Sequence, residues 1–431
     1  MLQYWQFYKQ ERLLVSFGVL LALFSSFGQT FLISLFVPAF THEFELSGAR
    51  FGVLYSAATL GSAALLPWAG RWIDRLPLHR VTAGVILLMT VSTALMAASW
   101  SVWVLVVALV GLRLSGQGLS GHTALTTMAR YYPRARGKAL SLASLGFPLG
   151  EAFLPLTVTT LIGVVGWRAS WLVMAGASVV VFLPLAWGLV ARAGVELDPQ
   201  KVRWSEDEPE SQGEPESGRP GLERSPTARP VRHWTRGEVL GDVRFHLVLP
   251  AALLPPFWAT GLILYQTAIA QERGWGLPLM ASAFVAFAAA RIVFSLAVGS
   301  GIDRLSARLL FPLACLPMAV GALVLMLVES PWAAYAFMGL LGTTVGLSGN
   351  LKSALWAELY GVRHLGAIKG MMASLMVLST ALAPILVGWV LEVDGGLPLL
   401  LWGVVGSVVV ATLMALVLLR PEPNTEAGPS S

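Results

Sequence analysis

Four polar side chains interrupt long apolar stretches of this sequence: Gln29, Arg113, Glu151 and Arg291. A charged side chain at the centre of a bilayer costs roughly 2.5–3.5 kcal/mol on insertion scales, so such residues serve a function or are neutralised by a partner. A buried carboxylate whose partner moves can carry a proton, and a guanidinium can hold an anion through paired hydrogen bonds. The residue types therefore indicate proton and anion chemistry inside a membrane.

The strongest candidate for an anion ligand is Arg291. No acidic residue flanks it, and the neighbouring apolar stretches contain none near their middles. We expect Arg291 to bind an anionic substrate, because an arginine without a resident counter-ion favours an anionic ligand. The expected hydrogen-bonding neighbours are Gln29, Tyr265, Gln266 and Asn350. The alternative is that Arg291 pairs with Glu151.

Proton coupling is assigned to Glu151, Arg113 and His122. Arg113 and Glu151 can also pair with each other across neighbouring helices, and this structural role is compatible with proton coupling. His122 is able to titrate near neutral pH, although a lone histidine among small residues is also typical of a helix-packing hydrogen bond.

The elements that position these residues are apolar runs long enough to cross a bilayer as helices. The chain of 431 residues is 56% hydrophobic and 12% charged, whereas soluble domains are about 25% charged. Runs occur at about 14–39, 51–69, 81–98, 102–129, 138–165 and 169–192, and again at 246–270, 278–298, 309–328, 332–357, 364–391 and 397–419. We predict an all-α integral membrane protein with twelve transmembrane helices.

A change of composition divides the two sets of six helices. We predict an N-terminal six-helix bundle at residues 1–192, a linker at 193–243, a C-terminal six-helix bundle at 244–420 and a tail at 421–431. The linker is rich in Pro, Gly, Ser and charge, which is typical of a solvated tether. A docking or regulatory role for it is the alternative.

Lysine and arginine cluster in the loops after spans two, four, eight and ten. By the positive-inside rule, these loops, both termini and the linker face the cytoplasm. The net charge of +5 is therefore a topology signal, and we expect no nucleic-acid partner.

The second half of the chain repeats short sequences of the first. Ile73–Leu76 recurs at Ile302–Leu305, 229 positions later, and Gly118–Gly121 recurs at Gly346–Gly349, 228 positions later. Because six helices separate the repeats, both halves enter the membrane in the same orientation and are related by an axis along the membrane normal. Such pseudo-symmetric halves predict a substrate site between them.

These motifs resemble those of the major facilitator superfamily of secondary transporters. Gly70 to Arg80 looks like the family's loop between spans two and three, and Gly299 to Arg308 is its weaker echo. Arg113, followed by Gln117-Gly118, is similar to the family's span-four motif, with the Gln-Gly pair one residue late. Gly146 to Glu151 is partly similar to the span-five motif of drug and proton antiporters. The resemblance implies two six-helix bundles that transport by alternating access.

The loop motif predicts a conformational latch. Gly70 permits a tight exit from span two, and Asp74 can accept hydrogen bonds from arginines. The alternative is that the arginines only anchor this loop on the cytoplasmic side, which explains the arginines but not Asp74 or its repeat. The expected latch residues are Gly70, Asp74, Arg75, Arg80, Asp303 and Arg304.

We therefore expect a secondary carrier that moves a small organic anion, a carboxylate, either as a symporter with protons or in exchange for a counter-anion. In having an arginine in span eight, the sequence resembles the oxalate and monocarboxylate carriers of the superfamily. Efflux of amphipathic drugs and a non-transporting membrane sensor are the alternatives.

No enzyme motif is found, and the single Cys315 excludes a cysteine-based zinc cluster, so we expect no cofactor and no metal. We expect a monomer in the bacterial inner membrane.

Overall fold

The computed structural model describes residues 2–133, 135–193, 234–361 and 363–419, and within these ranges it contains helices and no strand. Most of the linker prediction and the whole tail prediction lie outside the described residues. The side chain of Asp303, one of the predicted latch residues, also lies outside them.

Nineteen α-helices are present in the part of the chain that the structure describes. They are α1 Leu2–Phe24, α2 Thr30–Ile33, α3 Val37–Glu43, α4 Gly48–Arg75, α5 Leu78–Ala97, α6 Val102–Leu112, α7 Gly121–Tyr131, α8 Arg136–Ser144, α9 Gly146–Ala177, α10 Leu183–Arg192, α11 Arg236–Gly241, α12 Val243–Leu264, α13 Gln266–Glu272, α14 Leu277–Leu305, α15 Ala307–Leu310, α16 Leu316–Leu327, α17 Trp332–Tyr360, α18 Leu365–Leu391 and α19 Gly396–Ala415. Short 3-10 segments join some of them, and π-helical turns occur at Arg113–Ser120 and Ser178–Phe182.

Ten helical segments in the described ranges are long and apolar enough to cross a membrane. One of them, Arg136–Arg192, has 57 residues and would be about 85 Å long as one straight helix, against a hydrocarbon core of about 30 Å. Gly166 divides it with a φ of 80°, a conformation that glycine adopts at low cost. The 29-residue α17 supplies the last crossing. The twelve-helix fold class predicted from the sequence is confirmed.

Spans one to twelve are therefore defined as follows: α1–α3, α4, α5, α6–α7, α8 to residue 165 of α9, residue 167 of α9 to α10, α12–α13, α14, α15–α16, α17, α18 and α19. By internal contacts the chain forms two compact units. The first contains Met1–Val231 and Ile263–Ala268, and the second contains Arg232–Leu262 and Ile269–Ser431.

Several spans are interrupted where polar residues or prolines occur. Span one breaks at Gln29, whose backbone is extended. Span five breaks at Leu145, so Pro148 falls in the first turn of α9, where its missing N–H costs no helical hydrogen bond. Span seven breaks at Tyr265 after a helix that contains three prolines. Breaks at membrane depth leave backbone groups available to other partners.

Candidate functional site

In the first compact unit, Arg113 is the centre of a buried polar network. Its Nη1 donates a hydrogen bond to the hydroxyl of Tyr55, and its guanidinium carbon lies 4.7 Å from the centroid of the Tyr55 ring. The Tyr55 hydroxyl in turn donates to Thr30 Oγ1 at 2.9 Å. Arg113 and Tyr55 are both buried. The structure therefore gives Arg113 a neutral phenol as its partner, where the sequence left Glu151 as an alternative.

The backbone around this network is irregular on both sides. Arg113 begins the π-helical turn of span four, and Thr30 follows the break at Gln29 in span one. Spans one and four touch backbone to backbone here, since a Cβ on Gly116 would lie 2.6 Å from the backbone nitrogen of Gly28. π-Bulges occur frequently at functional sites. The sequence-predicted Gln29 and Arg113 are thus brought to one place in the fold.

Glu151 lies at the contact between spans five and one. It is buried, and it follows Gly150, at which a Cβ would collide with the Ser26 hydroxyl. A Cβ on Gly146, one turn earlier, would likewise collide with the backbone carbonyl oxygen of Val19. Small residues four apart allow membrane helices to approach closely. The stretch from Gly146 to Glu151 therefore forms a helix-packing surface that carries a carboxylate.

The third residue assigned to proton coupling, His122, lies apart from the Arg113 network. Its side chain is exposed. Its Nδ1 lies 3.3 Å from Thr126 Oγ1 on the same helix, and its ring faces Gly70 of span two. Its predicted role stays a prediction.

The predicted latch residue Asp74 has its ion-pair partner inside the first unit. Arg130 Nη2 contacts Asp74 Oδ1, and Arg130 Nη1 donates to the carbonyl of Ile73 at 2.8 Å. Arg75 and Arg80 are exposed. The ends of spans two and four are therefore clamped by Arg130, a residue that the latch prediction did not include.

Next to Arg130, Tyr132 donates a hydrogen bond to Glu11 Oε2 at 3.0 Å. Burial, together with this neighbouring carboxylate, raises the pKa of the Tyr132 phenol. Tyr132 therefore stays a neutral donor, and it joins the start of span one to the end of span four.

Arg130 and its contacts with the end of span two form a bracket between two spans. The corresponding bracket in the second unit is built on a residue of the opposite charge. Glu358 stands 228 positions after Arg130. Its carboxylate accepts the backbone N–H groups of Ala307 at 2.8 Å and Arg308 at 3.2 Å, and Arg308 Nη2 donates to the Glu358 carbonyl at 2.9 Å. The predicted latch residue Arg304 is exposed. An acidic residue at the end of span ten thus holds the start of span nine.

Arg291 is the central residue of α14 and is half-buried. Its backbone is in close contact with span ten, since a Cβ on Gly346 would lie 2.6 Å from the Arg291 carbonyl oxygen. One turn further along both helices, Asn350 Nδ2 donates to the carbonyl of Ser295 at 2.8 Å. Asn350, predicted to bind substrate, therefore uses its amide to join spans eight and ten.

The predicted ligands Tyr265 and Gln266 lie at the break in span seven and belong to the first compact unit. The Tyr265 hydroxyl donates to the Gly48 carbonyl at 2.8 Å, and Gln266 Nε2 donates to Ser34 Oγ at 2.6 Å. Both side chains are buried. Gln266 Oε1 is buried and has no hydrogen-bond partner among the described residues.

Sequence reasoning missed Tyr55, Arg130 and Glu358 as site and bracket residues. The 228-residue repeat offset would have paired Arg130 with Glu358. No comparable signal distinguishes Tyr55 from the other aromatic residues.

Comparison with known proteins agrees with this architecture. A sequence model of the Major Facilitator Superfamily matches residues 19–265 and 251–431. The structure of a bacterial homologue of the human lysosomal transporter Spinster, inward-facing and unoccupied, superposes with a TM-score of 0.60 at 15% identity, covering 95% of this chain and 94% of the other. The nucleoside transporter NupG superposes with a TM-score of 0.67 at 12% identity, covering 96% of this chain and 99% of the other. A search among curated proteins found no significant match.

Proposed function

The chain belongs to the major facilitator superfamily, and we propose that this transporter carries a small organic anion, a carboxylate, together with a proton. Its family and its structural neighbours are those of transporters, not of enzymes. As a multi-pass membrane protein it would lie in a bacterial inner membrane as a monomer, with both termini in the cytoplasm.

The observation that carries the proposal is a buried guanidinium whose hydrogen-bond partner is neutral. Arg113 contacts the phenol of Tyr55, and its Nε has no hydrogen-bond partner among the described residues. A buried positive charge that is not neutralised favours an anion. Arg291, at the centre of span eight, adds a second guanidinium at membrane depth. Guanidinium groups bind carboxylates through two parallel hydrogen bonds, which supports a carboxylate as the substrate.

Glu151 is the proposed proton carrier. It is buried where spans one and five are in close contact. A carboxylate in such a position is costly when charged and acceptable when protonated, so a change in its surroundings would couple proton uptake to helix movement. Alternating access supplies such a change, because the helices rearrange around a fixed site.

The test is transport by purified protein in proteoliposomes loaded with a pH-sensitive dye. Lactate, oxalate, benzoate, uridine and a cationic amphipathic drug are added in turn to the wild type and to Arg291→Ala, with Arg50→Ala, an exposed arginine, as the matched control. We expect proton movement with one class of carboxylate, lost in Arg291→Ala and kept in Arg50→Ala.

A signal driven by the drug or by uridine, and equal in all three proteins, would refute the proposal. The drug result would favour efflux. Binding of a carboxylate without flux would favour a membrane sensor.

A further inference from the structure

Span seven contains two consecutive prolines, Pro255 and Pro256, inside α12. A proline has no backbone N–H, so the carbonyl four residues earlier in the helix lacks its usual donor. Here the two carbonyls are those of Ala251 and Ala252. In a membrane-spanning segment, carbonyls without a donor are costly unless side chains supply one.

Neighbouring helices supply those donors. Cys315 Sγ, from the middle of span nine just before α16, donates to the Ala251 carbonyl at 3.3 Å, and Lys352 Nζ, from span ten, donates to the Ala252 carbonyl at 3.5 Å. Ser379, from span eleven, donates to the next carbonyl, that of Leu253, at 3.1 Å. Three neighbouring helices therefore hold the turn of span seven that the prolines weaken.

Of these donors, only Lys352 carries a charge. Its ammonium has three N–H donors, and the contact with Ala252 lies at the outer limit of a hydrogen bond. No carboxylate forms an ion pair with Lys352 among the residues that the structure describes. Lys352 lies eight residues before the end of α17 at Tyr360, about 12 Å along the helix axis. It is half-buried, whereas Cys315 is 1% exposed.

We infer that Lys352 is a second anion-binding residue of the carrier, and that the substrate carboxylate replaces the Ala252 carbonyl as its partner. This inference rests on the proposed function. A carboxylate is a stronger acceptor for an ammonium than a neutral carbonyl, so the exchange favours the anion. It also leaves Ala252 without a donor and loosens the turn at Pro255 and Pro256, which couples anion binding to movement of span seven.

The single cysteine reports on this turn without any engineering. Cys315 is in contact with the same turn and is the only cysteine of the chain. The rate at which N-ethylmaleimide labels the full-length protein in proteoliposomes therefore measures how often the turn opens. Cys315→Ser gives the blank. Lys369→Met is the matched control, because Lys369 is exposed and donates to Ser353 on span ten.

Two substitutions separate the donor from the charge. Lys352→Met removes both, and we expect labelling several-fold faster than in the wild type with no anion present. Lys352→Gln keeps a donor for Ala252, and we expect it to label slowly, as the wild type does. With benzoate or oxalate added, labelling should accelerate in the wild type and stay constant in Lys352→Gln. The KM for the transported anion should rise about tenfold or more in Lys352→Gln, since a hydrogen bond to a charged group is worth about 1.5–3 kcal/mol.

Three results would overturn parts of this inference. Equal labelling of Lys352→Met and the wild type, without anion, would show that Lys352 does not hold the turn. An unchanged KM in Lys352→Gln would remove Lys352 from the anion site. Absence of anion transport by the wild type would refute the proposed function and the anion-binding role together, while the anion-free comparison would still decide whether Lys352 holds the turn.

Discussion

Replacing Tyr55 by phenylalanine removes one oxygen atom from the buried network of the first unit. The ring stays 4.7 Å from the Arg113 guanidinium carbon, so the cation–π contact is kept. The hydrogen bond from Arg113 Nη1 is lost, and Arg113 Nε already has no hydrogen-bond partner among the described residues. The substitution therefore leaves a buried guanidinium with its charge and with one acceptor fewer.

The expected cost follows from the kind of bond that is removed. A hydrogen bond to a charged group contributes about 1.5–3 kcal/mol, and a neutral one contributes about 0.5–1.5 kcal/mol. Tyr55→Phe should therefore lower the free energy of unfolding by about 2 kcal/mol, whereas Thr30→Val, which removes only the acceptor of the Tyr55 hydroxyl, should cost about 1 kcal/mol. Tyr335→Phe is the matched control, because it breaks a neutral hydroxyl pair with Ser282 in the second unit.

The assay is unfolding of the purified protein in a mild detergent titrated with SDS, followed by tryptophan fluorescence. A double-mutant cycle with Arg113→Met isolates the pair, since the cycle removes effects that each substitution has on its own. We expect a coupling energy of about 1.5–3 kcal/mol between Tyr55 and Arg113. A coupling energy near zero would refute the conclusion that the phenol is the partner of Arg113.

Three further predictions concern packing, the brackets and the anion ligand. Gly150→Leu should destabilise the first unit, because a side chain there collides with Ser26, whereas Gly163→Leu, in open space, should be neutral in the same SDS titration; equal effects would contradict close packing. Asp74→Asn should lower the free energy of unfolding by about 1 kcal/mol or less, and only at low salt. Glu358→Ala should lower it by about 1–2 kcal/mol at any salt concentration, because it removes the acceptor of two backbone donors. Identical salt dependences of the two variants would contradict this prediction. Arg291→Lys should keep the fold and strongly weaken anion transport, since lysine does not reproduce a bidentate contact; wild-type uptake would exclude Arg291 as the ligand.

The membrane crossings could be predicted from the sequence because each crossing needs one long apolar run and the bilayer sets its length. The repeat of Ile73–Leu76 at Ile302–Leu305 likewise indicates two parallel halves from the residues alone. The break in span five lies three residues before Pro148, whereas the break in span one at Gln29 has no proline beside it. Regular membrane-spanning helices can therefore be predicted from composition, whereas a break within a helix depends on how that helix packs against its neighbours.

Partners of polar residues were harder to predict. The carboxylate Glu151 was the expected alternative for Arg113, but the guanidinium contacts a phenol 58 residues away in the chain. Asp74 was expected to accept hydrogen bonds from arginines, but the sequence did not indicate that its partner is Arg130, 56 residues later. Charge type limits which pairs are possible, and helix packing decides which of them form.

The two brackets show how a repeat can preserve a mechanical role while exchanging its chemistry. Arg130 and Glu358 occupy equivalent positions at the ends of spans four and ten. The arginine holds the end of span two through an exposed carboxylate and a carbonyl, and the glutamate holds the start of span nine through its first N–H groups. The first contact is screened by salt because its carboxylate is exposed, and the second depends on backbone donors whose partial charge is fixed. Equivalent positions in the two halves therefore respond differently to ionic strength, so the structural repeat does not imply a symmetric transport cycle.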